Sequence, residues 1–365
     1  MGMKKILVAG YGTIGKALQK VSQSCHMDFE FEYIDIALNG SIEEYLEGGK
    51  FNHSADILIN LTGSASNKIL WLCSRCGLNY IDTGIEVDNT GEEADVLGAF
   101  ETFKSFRPDI KAILGAGMNP GIIEVIYSKY KPGYYHSAIE LEVDSAECAD
   151  SGRIFNTWSP FSFYSEFCVD NTFYYDKKII PLEKKANQIS FEASFGSVSR
   201  RFHLVPHEEI LSMAQSNEKC ILSAFLYSPP DRISDYFISY SPKTAEEVIE
   251  NIPVYHNITG GDCVGILIRN EENLREPLHY YYNRADHQEC YGKYGVNGTS
   301  WQVVCGVLAA IRVMDILPRK KVYTMTEVAG EYCEEVTDYL KTLGFFIQRK
   351  DFISDGQLIR KLKEI

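Results

Sequence analysis

The sequence predicts an α/β chain: an N-terminal doubly wound parallel sheet, followed by a second α+β domain whose sheet is mixed or antiparallel. Three observations predict it. A short apolar run near the N-terminus flows into a glycine-rich turn. Apolar runs and helix-like segments then alternate as far as about residue 115. From about Ala138 that alternation gives way to strand-like segments with few long helices between them.

Composition sets the bounds. The chain has 365 residues, room for two domains with ordinary cores. Apolar residues make up 45% and charged residues 24%, as in a soluble globular protein. A net charge of -14 argues against nucleic acid or an anionic membrane as partner and favours cations. The apolar stretch Val303–Leu317 is interrupted by Arg312 and Asp315 and is too short to span a bilayer. Met1–Val8 reads as a strand entering the fold rather than an export signal, so a cytoplasmic chain with ten reduced cysteines is expected. Cys73-Ser-Arg-Cys76 has metal spacing, but with no second pair or histidines nearby no metal site is expected.

Taken in order, Lys4–Ala9 is a short apolar run suited to a buried parallel strand. Gly10-Tyr-Gly12-Thr13-Ile14-Gly15 follows, then a helix from Lys16 to Ser22. The three glycines fit G-x-G-x-x-G between strand and helix. The first allows the tight turn, the second lets backbone approach a pyrophosphate, and the third lets helix and strand pack closely. This is the fingerprint of a Rossmann domain. The next strand, Phe29–Ile36, contains Asp35, 20 residues after Gly15. A carboxylate there can accept from the ribose hydroxyls and would repel a 2′-phosphate, so NAD is expected over NADP. Strand Ala55–Leu61, helix Asn67–Cys76, strand Asn79–Asp82, helix Glu92–Phe106 and strand Ile110–Gly115 continue the alternation. Ligands of such sheets bind beyond the carboxyl ends of the strands. That points to Thr62 and Gly63, to Asp82, Thr83 and the residues up to Asp88, and to Gly115–Gly121 with Gly117, Asn119 and Pro120.

In the second half Ile139–Asp144 alternates, and Ile189–Phe195, Arg201–Val205, Cys220–Tyr227 and Val264–Ile268 are strand-like. Pro242–Asn251 is a candidate helix. Ser300–Leu317 has helical period and is expected to pack back on the first domain, with a further helix at Met325–Leu343. The expected organisation is therefore an NAD-binding domain at 1–137, a substrate domain at 138–299, and C-terminal helices at 300–365.

Asn156-Thr-Trp158-Ser159 with Ser165-Glu166, His207-Glu-Glu209, and Asp262-Cys-Val-Gly265 stand out in this half. Each alone also fits a core Trp, an acidic turn or a tight turn. Together with Gly12-Thr-Ile-Gly15, Leu58-Ile-Asn-Leu61, Tyr80-Ile-Asp-Thr83, Ile85-Glu86, Asn119-Pro-Gly121 and Thr299-Ser300, they run in order through most of the chain. On these motifs the chain resembles bacterial homospermidine synthase, of the saccharopine dehydrogenase-like group. The resemblance implies an enzyme that joins diamines (putrescine, or spermidine plus putrescine) into homospermidine. Hydride leaves for NAD, the imine exchanges amines, and the hydride returns. A homodimer is expected with it.

By the same resemblance, Asn119, Glu166, His207 and Glu209 would be catalytic, and Glu86, Glu147, Trp158 and Asp262 would bind substrate. Gly10, Gly12, Thr13, Ile14, Gly15, Asp35, Thr62, Gly63, Asp82, Thr83, Gly117, Asn119 and Pro120 would hold the cofactor. Carboxylates and an aromatic face suit a ligand with an ammonium at each end. Two departures stand out. Family members are longer, and Val87-Asp88 replaces their Pro-Trp. Two other readings remain. A saccharopine- or carboxyspermidine-type dehydrogenase would need an arginine for a carboxylate, with Arg153, Arg200, Arg201 and Arg284 as candidates. A non-catalytic NAD-binding sensor would share the fold.

Overall fold

The computed structural model describes residues 4–48, 51, 55–63, 66–84, 103, 106–148, 154–168, 170–195, 198–240, 244–352 and 357–364. It forms two compact units, Met1–Val125 with Cys290–Phe345, and Ile126–Glu289 with Phe346–Ile365.

The first unit is built on six parallel strands: β1 (Lys4–Ala9), β2 (Phe29–Ile34), β3 (Ile57–Asn60), β4 (Asn79–Asp82), β5 (Ala112–Leu114) and β14 (Val322–Thr324). Their order is β14-β5-β4-β3-β1-β2. Both faces of the central strands are buried. Leu7, Ala9, Leu58 and Tyr80 enter one core with Leu70 and Cys73 of the helix Ser66–Cys76. The alternate residues Ile6, Val8, Ile57, Ile59 and Ile81 are buried as well. Sheets covered on both faces need such unbroken apolar runs, which is why these strands are legible. The chain leaves β1 for β2 on one side and returns to β3 on the other, which opens a crevice at their carboxyl ends.

Two helices after residue 290 complete this unit. Gly298–Met314 is capped by Asn297, whose side chain accepts from Ser300 N, and packs against the helix Thr13–Ser24. Met325–Thr342 opens with a capping box in which Thr324 and Glu327 satisfy each other's backbone N–H. The expected helix Glu92–Phe106 lies almost wholly outside the described residues.

The second unit carries a nine-stranded sheet with β6 (His136–Asp144), β7 (Asp170–Tyr175), β8 (Lys178–Lys185), β9 (Ser190–Phe195), β10 (Val198–Val205), β11 (Cys220–Ser228), β12 (Gly261–Asn270), β13 (Leu278–Asp286) and β15 (Gln348–Phe352). The order is β15-β13-β12-β6-β11-β10-β9, with the β7–β8 hairpin attached to β11. Among the described residues only β6 and β11 pair in parallel, so the sheet is mixed. One face is apolar: Ile139, Leu141, Leu204, Leu226 and Leu267 pack with Ile359 and Leu362 of the helix Gln357–Lys363. The other face carries Glu140, Glu142 and Asp144, and Asp262 lies opposite Asp144. All four acids are buried. Short helices, Pro160–Cys168, Asp231–Ser239 and Ala245–Asn251, cover the part of this face formed by Val205, Phe225 and Tyr227.

The units divide differently from the three expected segments. The breaks fall at 125/126, 289/290 and 345/346. The tail joins the second sheet, because β15 pairs with β13. Gln-Arg-Lys-Asp-Phe is an almost wholly exposed edge strand without apolar alternation, so its pattern could not announce it. The three-residue β14 is likewise too short to show a period.

One close approach makes a test of the first unit. A Cβ on Gly306 would come 2.0 Å from Gly117 O, so the helix Gly298–Met314 lies directly on the Gly117 backbone. Gly306→Ala is expected to destabilise by about 1–3 kcal/mol or more through overpacking, read as a lowered Tm in calorimetry. An unchanged Tm would show that helix and loop can separate freely.

Candidate functional site

In the first unit the expected cofactor residues gather around the crevice. Gly10 adopts φ +96, and a Cβ there would meet Leu61 O at 2.5 Å. A Cβ on Gly15 would meet Gly10 O at 2.3 Å. These two glycines are demanded by the protein's own backbone. Gly12 is different: it is exposed, and among the described residues nothing lies within 4 Å of its would-be Cβ. It also stands as the N-cap of Thr13–Ser24, a helix start with no side-chain cap, where backbone N–H groups remain for an anion. Thr13 and Ile14 are partly exposed beside it. An unused approach to an uncapped helix end fits a dinucleotide pyrophosphate.

Asp35 follows β2 and is partly exposed. Its carboxylate accepts from Tyr11 N at 2.7 Å and Ala37 N at 2.9 Å, so it ties the glycine turn to the next strand. Asn60 accepts from Thr62 N and Oγ1, shaping the turn to Gly63. Asp82 is buried, and its side chain accepts from Gly115 N at 2.7 Å. It therefore braces the loop 115–121 from beneath, unlike the exposed residues expected beside it. Thr83 contributes its carbonyl next to Gly117, and Gly117 N donates to Pro120 O at 2.8 Å. Asn119 is partly exposed and Pro120 buried. Glu124 holds this loop by accepting from Gly121 N and from Thr326.

In the second unit the chemistry centres on His207, in the link between β10 and the helix Glu209–Gln215. Its Nδ1 lies 2.6 Å from Glu209 Oε1 and its Nε2 lies 3.0 Å from Glu166 Oε1. Burial works against charge on this imidazole. The two carboxylates outweigh it and hold its pKa well above the ordinary range. Burial also raises the pKa of Glu166, partly offset by His207. Glu140 faces Glu209 and is pushed well above the carboxylate range, first by burial and then by Glu209. His207 is thus an imidazolium between two acids, beneath the ring of Phe225 at 5.0 Å.

Trp158 packs on the apolar cluster that contains Phe225, with its ring 5.6 Å from Phe163 and beside Tyr227. Tyr227 lies opposite Glu142 in the sheet. Farther along β6, Asp144 accepts from Thr157 Oγ1 at 2.8 Å and from Ala146 N, and lies 3.4 Å from His287 Nε2. Burial opposes charge on His287, yet Asp144 raises its pKa. Asp262 is fully buried beside this pair. Asp144 also lines a 310 Å³ cavity with Glu147, Phe155, Arg200, Asp231 and Arg232. Of the other candidate arginines, Arg201 is engaged by Glu192 and Asp235, and Arg284 lies by Asp286. Glu86 and Arg153 lie outside the described residues.

The structure thus joins Glu166, His207 and Glu209 in one cluster with Trp158 nearby. It places Glu147 at the cavity and Asp262 with Asp144. Glu140, Glu142, Asp144 and His287 are not among the expected site residues. The alternation Ile-Glu-Leu-Glu-Val-Asp puts three acids on one face but does not say that the face is buried. Among the described residues, His207, Glu208 and Glu209 could present ligand atoms to one ion. With both ring nitrogens directed at carboxylates, the protonated imidazole offers a metal no lone pair.

No family model matches the chain. Carboxynorspermidine synthase of Vibrio alginolyticus is 24% identical over 268 residues, and that of Vibrio cholerae is 24% identical over 271. Each match spans 65% of this chain and 63% of the relative. Among solved structures, homospermidine synthase of Legionella pneumophila in complex with NAD superposes with a TM-score of 0.74 at 18% identity, over 96% of this chain and 92% of that one. Saccharopine dehydrogenase (L-Glu forming) of Saccharomyces cerevisiae gives 0.59 at 11% identity, over 95% and 99%. The chain therefore has the fold of these enzymes, as the sequence resemblance implies. The match to homospermidine synthase covers nearly the full length of both chains.

Two outcomes are expected. Gly12→Ala should leave Tm unchanged and weaken NAD binding in calorimetric titration by about tenfold or more, the loss of a typical charge-assisted contact. Undiminished affinity would remove the pyrophosphate from this turn. The second concerns pH. His207, Glu166 and Glu140 all bind protons more tightly in the folded chain than their ordinary values of 6.5, 4.5 and 4.5. Their contribution is full below those values and is lost as pH rises through the raised ones. Urea midpoints should fall on the alkaline side, and less steeply in His207→Gln. Equal slopes in both proteins would contradict the assignment.

Proposed function

We propose that the protein is an NAD-dependent enzyme of polyamine formation that condenses diamines in the manner of homospermidine synthase. The observation that supports this reading is the buried acidic face of the second unit, where Glu166, His207 and Glu209 meet, with Trp158 packed on the apolar cluster whose Phe225 lies against His207. Such a face suits a ligand that brings its own positive charges. An ammonium against the Trp158 ring gains about 0.5–2 kcal/mol, depending on desolvation, and a buried carboxylate about 1.5–3 kcal/mol.

NAD, held by the turn Gly10–Gly15, would supply a reversible hydride acceptor; the attacking amine would displace ammonia from the imine carbon, so the condensation releases ammonia and involves no net redox change. The protein's own groups would manage charge and protons. The substrate amine must lose a proton before it can attack the imine carbon. Glu166, the more exposed end of the cluster, is placed to take that proton, and its bond to His207 settles the charge that results. Asp35 at the end of β2 favours NAD over NADP.

A second reading is favoured by the cavity of the second unit. Arg200 and Arg232 line it together with Asp144 and Glu147, an arrangement suited to a substrate with a carboxylate and an amine. The curated relatives are named carboxynorspermidine synthases. The reaction would then be a net reduction joining an amine to a carboxylate-bearing carbonyl compound.

Mass spectrometry separates the two. Incubation with putrescine and a trace of NAD should yield a triamine without accumulation of NADH. A product that retains a carboxylate and consumes stoichiometric reduced cofactor would establish the second reading instead. Trp158→Leu should reduce diamine kcat/KM about threefold to thirtyfold, and Glu166→Gln about tenfold or more, with NAD affinity unchanged in both.

A further inference from the structure

Glu140 lies in the middle of β6, between Phe225 of β11 and Ile266 of β12, and is fully buried. Among the described residues, no donor reaches either of its oxygens or Oε2 of Glu209, yet the two side chains face each other. Two buried carboxylates cannot share such a place unless a proton lies between them. Glu209 presents its other oxygen to His207 Nδ1 at 2.6 Å, and His207 presents Nε2 to Glu166 at 3.0 Å. The four residues form one chain, closed at Glu140 and opening at Glu166, the least buried of them.

We infer that Glu140 is a positioning residue: as a neutral acid it donates a hydrogen bond to Glu209 Oε2, and this keeps Glu209 ionised and directed at His207. With that proton in place both oxygens of Glu209 have a donor, Oε1 from His207 and Oε2 from Glu140. Glu140 and Glu209 share one proton, and the imidazolium donates to Glu209 on one side and Glu166 on the other. The chain then carries one net negative charge. It returns to neutrality when Glu166 takes a proton from a substrate ammonium. Without the donor at Glu140, Oε2 of Glu209 is left bare and the Nδ1 proton of His207 lies closer to Glu209. The other groups that bear on this exchange are Glu142 on the same strand and Glu209, His207 and Glu166 themselves. The flanking Phe225 and Ile266 are apolar. The catalytic part of this inference rests on the diamine reading. The hydrogen-bond chain stands without it.

Nitrogen NMR of the full chain labelled at histidine tests it, with His207 assigned by the resonance lost in His207→Gln. In the parent, both ring nitrogens should stay protonated at neutral pH. In Glu140→Leu, and in the more flexible Glu140→Met should leucine pack poorly, the His207 midpoint should fall by about one pH unit or more, the worth of a lost bond to a charged group. Glu140→Gln, whose amide can still donate to Glu209, should recover most of that shift. A His207 midpoint unmoved in Leu and Met, or a Gln variant that behaves like them, would overturn the inference. With diamine, kcat should follow the same order and fall about tenfold in Leu, while KM stays within a small factor. If the NMR order holds but the parent makes no triamine, the proposed reaction fails and the positioning role stands.

Discussion

The second unit depends on how it accommodates carboxylates inside a protein. Taking one such group from water into the interior costs several kcal/mol even after relaxation, and the cost is recovered only by close partners. On one sheet face β6 buries Glu140, Glu142 and Asp144, and β12 adds Asp262. The surrounding structure is organised to meet that demand. The link after β10 brings His207 over Glu209, the helix Pro160–Cys168 brings Glu166 to its far side, and the helix beginning at His287 sets a second imidazole by Asp144. Thr157 and Ala146 N supply the remaining donors to Asp144. A face built this way is expensive for folding alone. It is understandable where a cation or a mobile proton is part of the work.

The first unit shows the opposite economy. Its central strands are apolar on both faces, and polar groups at the carboxyl ends shape the turns. Asp35 holds Tyr11 N, Asn60 holds Thr62, Asp82 holds Gly115, and Glu124 ties the loop 115–121 to the start of Met325–Thr342. Several residues that a motif assigns to a ligand are therefore also working parts of the fold. Gly12 is separable from that role, since no protein atom needs its missing side chain. The distinction between glycines the backbone requires and the glycine it does not is what gives the turn a functional reading.

The fold likeness extends to a polyamine enzyme and to an amino-acid dehydrogenase, so fold alone does not choose the reaction. The choice rests on side chains of the second unit. Its acidic face suits amines, and Arg200 and Arg232 at the cavity suit an acid. Asp144 belongs to both, as the end of the acidic row on β6 and as a wall of the cavity.

The sequence by itself determined the central strands of the first sheet, because a strand buried on both faces must be apolar throughout and a glycine turn must follow the first of them at fixed spacing. Through resemblance it named Asn119, Glu166, His207 and Glu209 as catalytic, since nothing local links these positions; that His207 lies between Glu166 and Glu209 is a matter of tertiary structure. Tertiary structure alone decided the rest. Alternating acids in β6 look like the solvent face of any half-buried strand, and only the covering helices turn that face inward. β14 and β15 are too short or too polar to carry a period, and they exist because an edge was available to pair with them. A bond between Glu140 and Glu209 depends on a proton that no sequence records. It follows from burying two carboxyls within reach of each other with no other donor near.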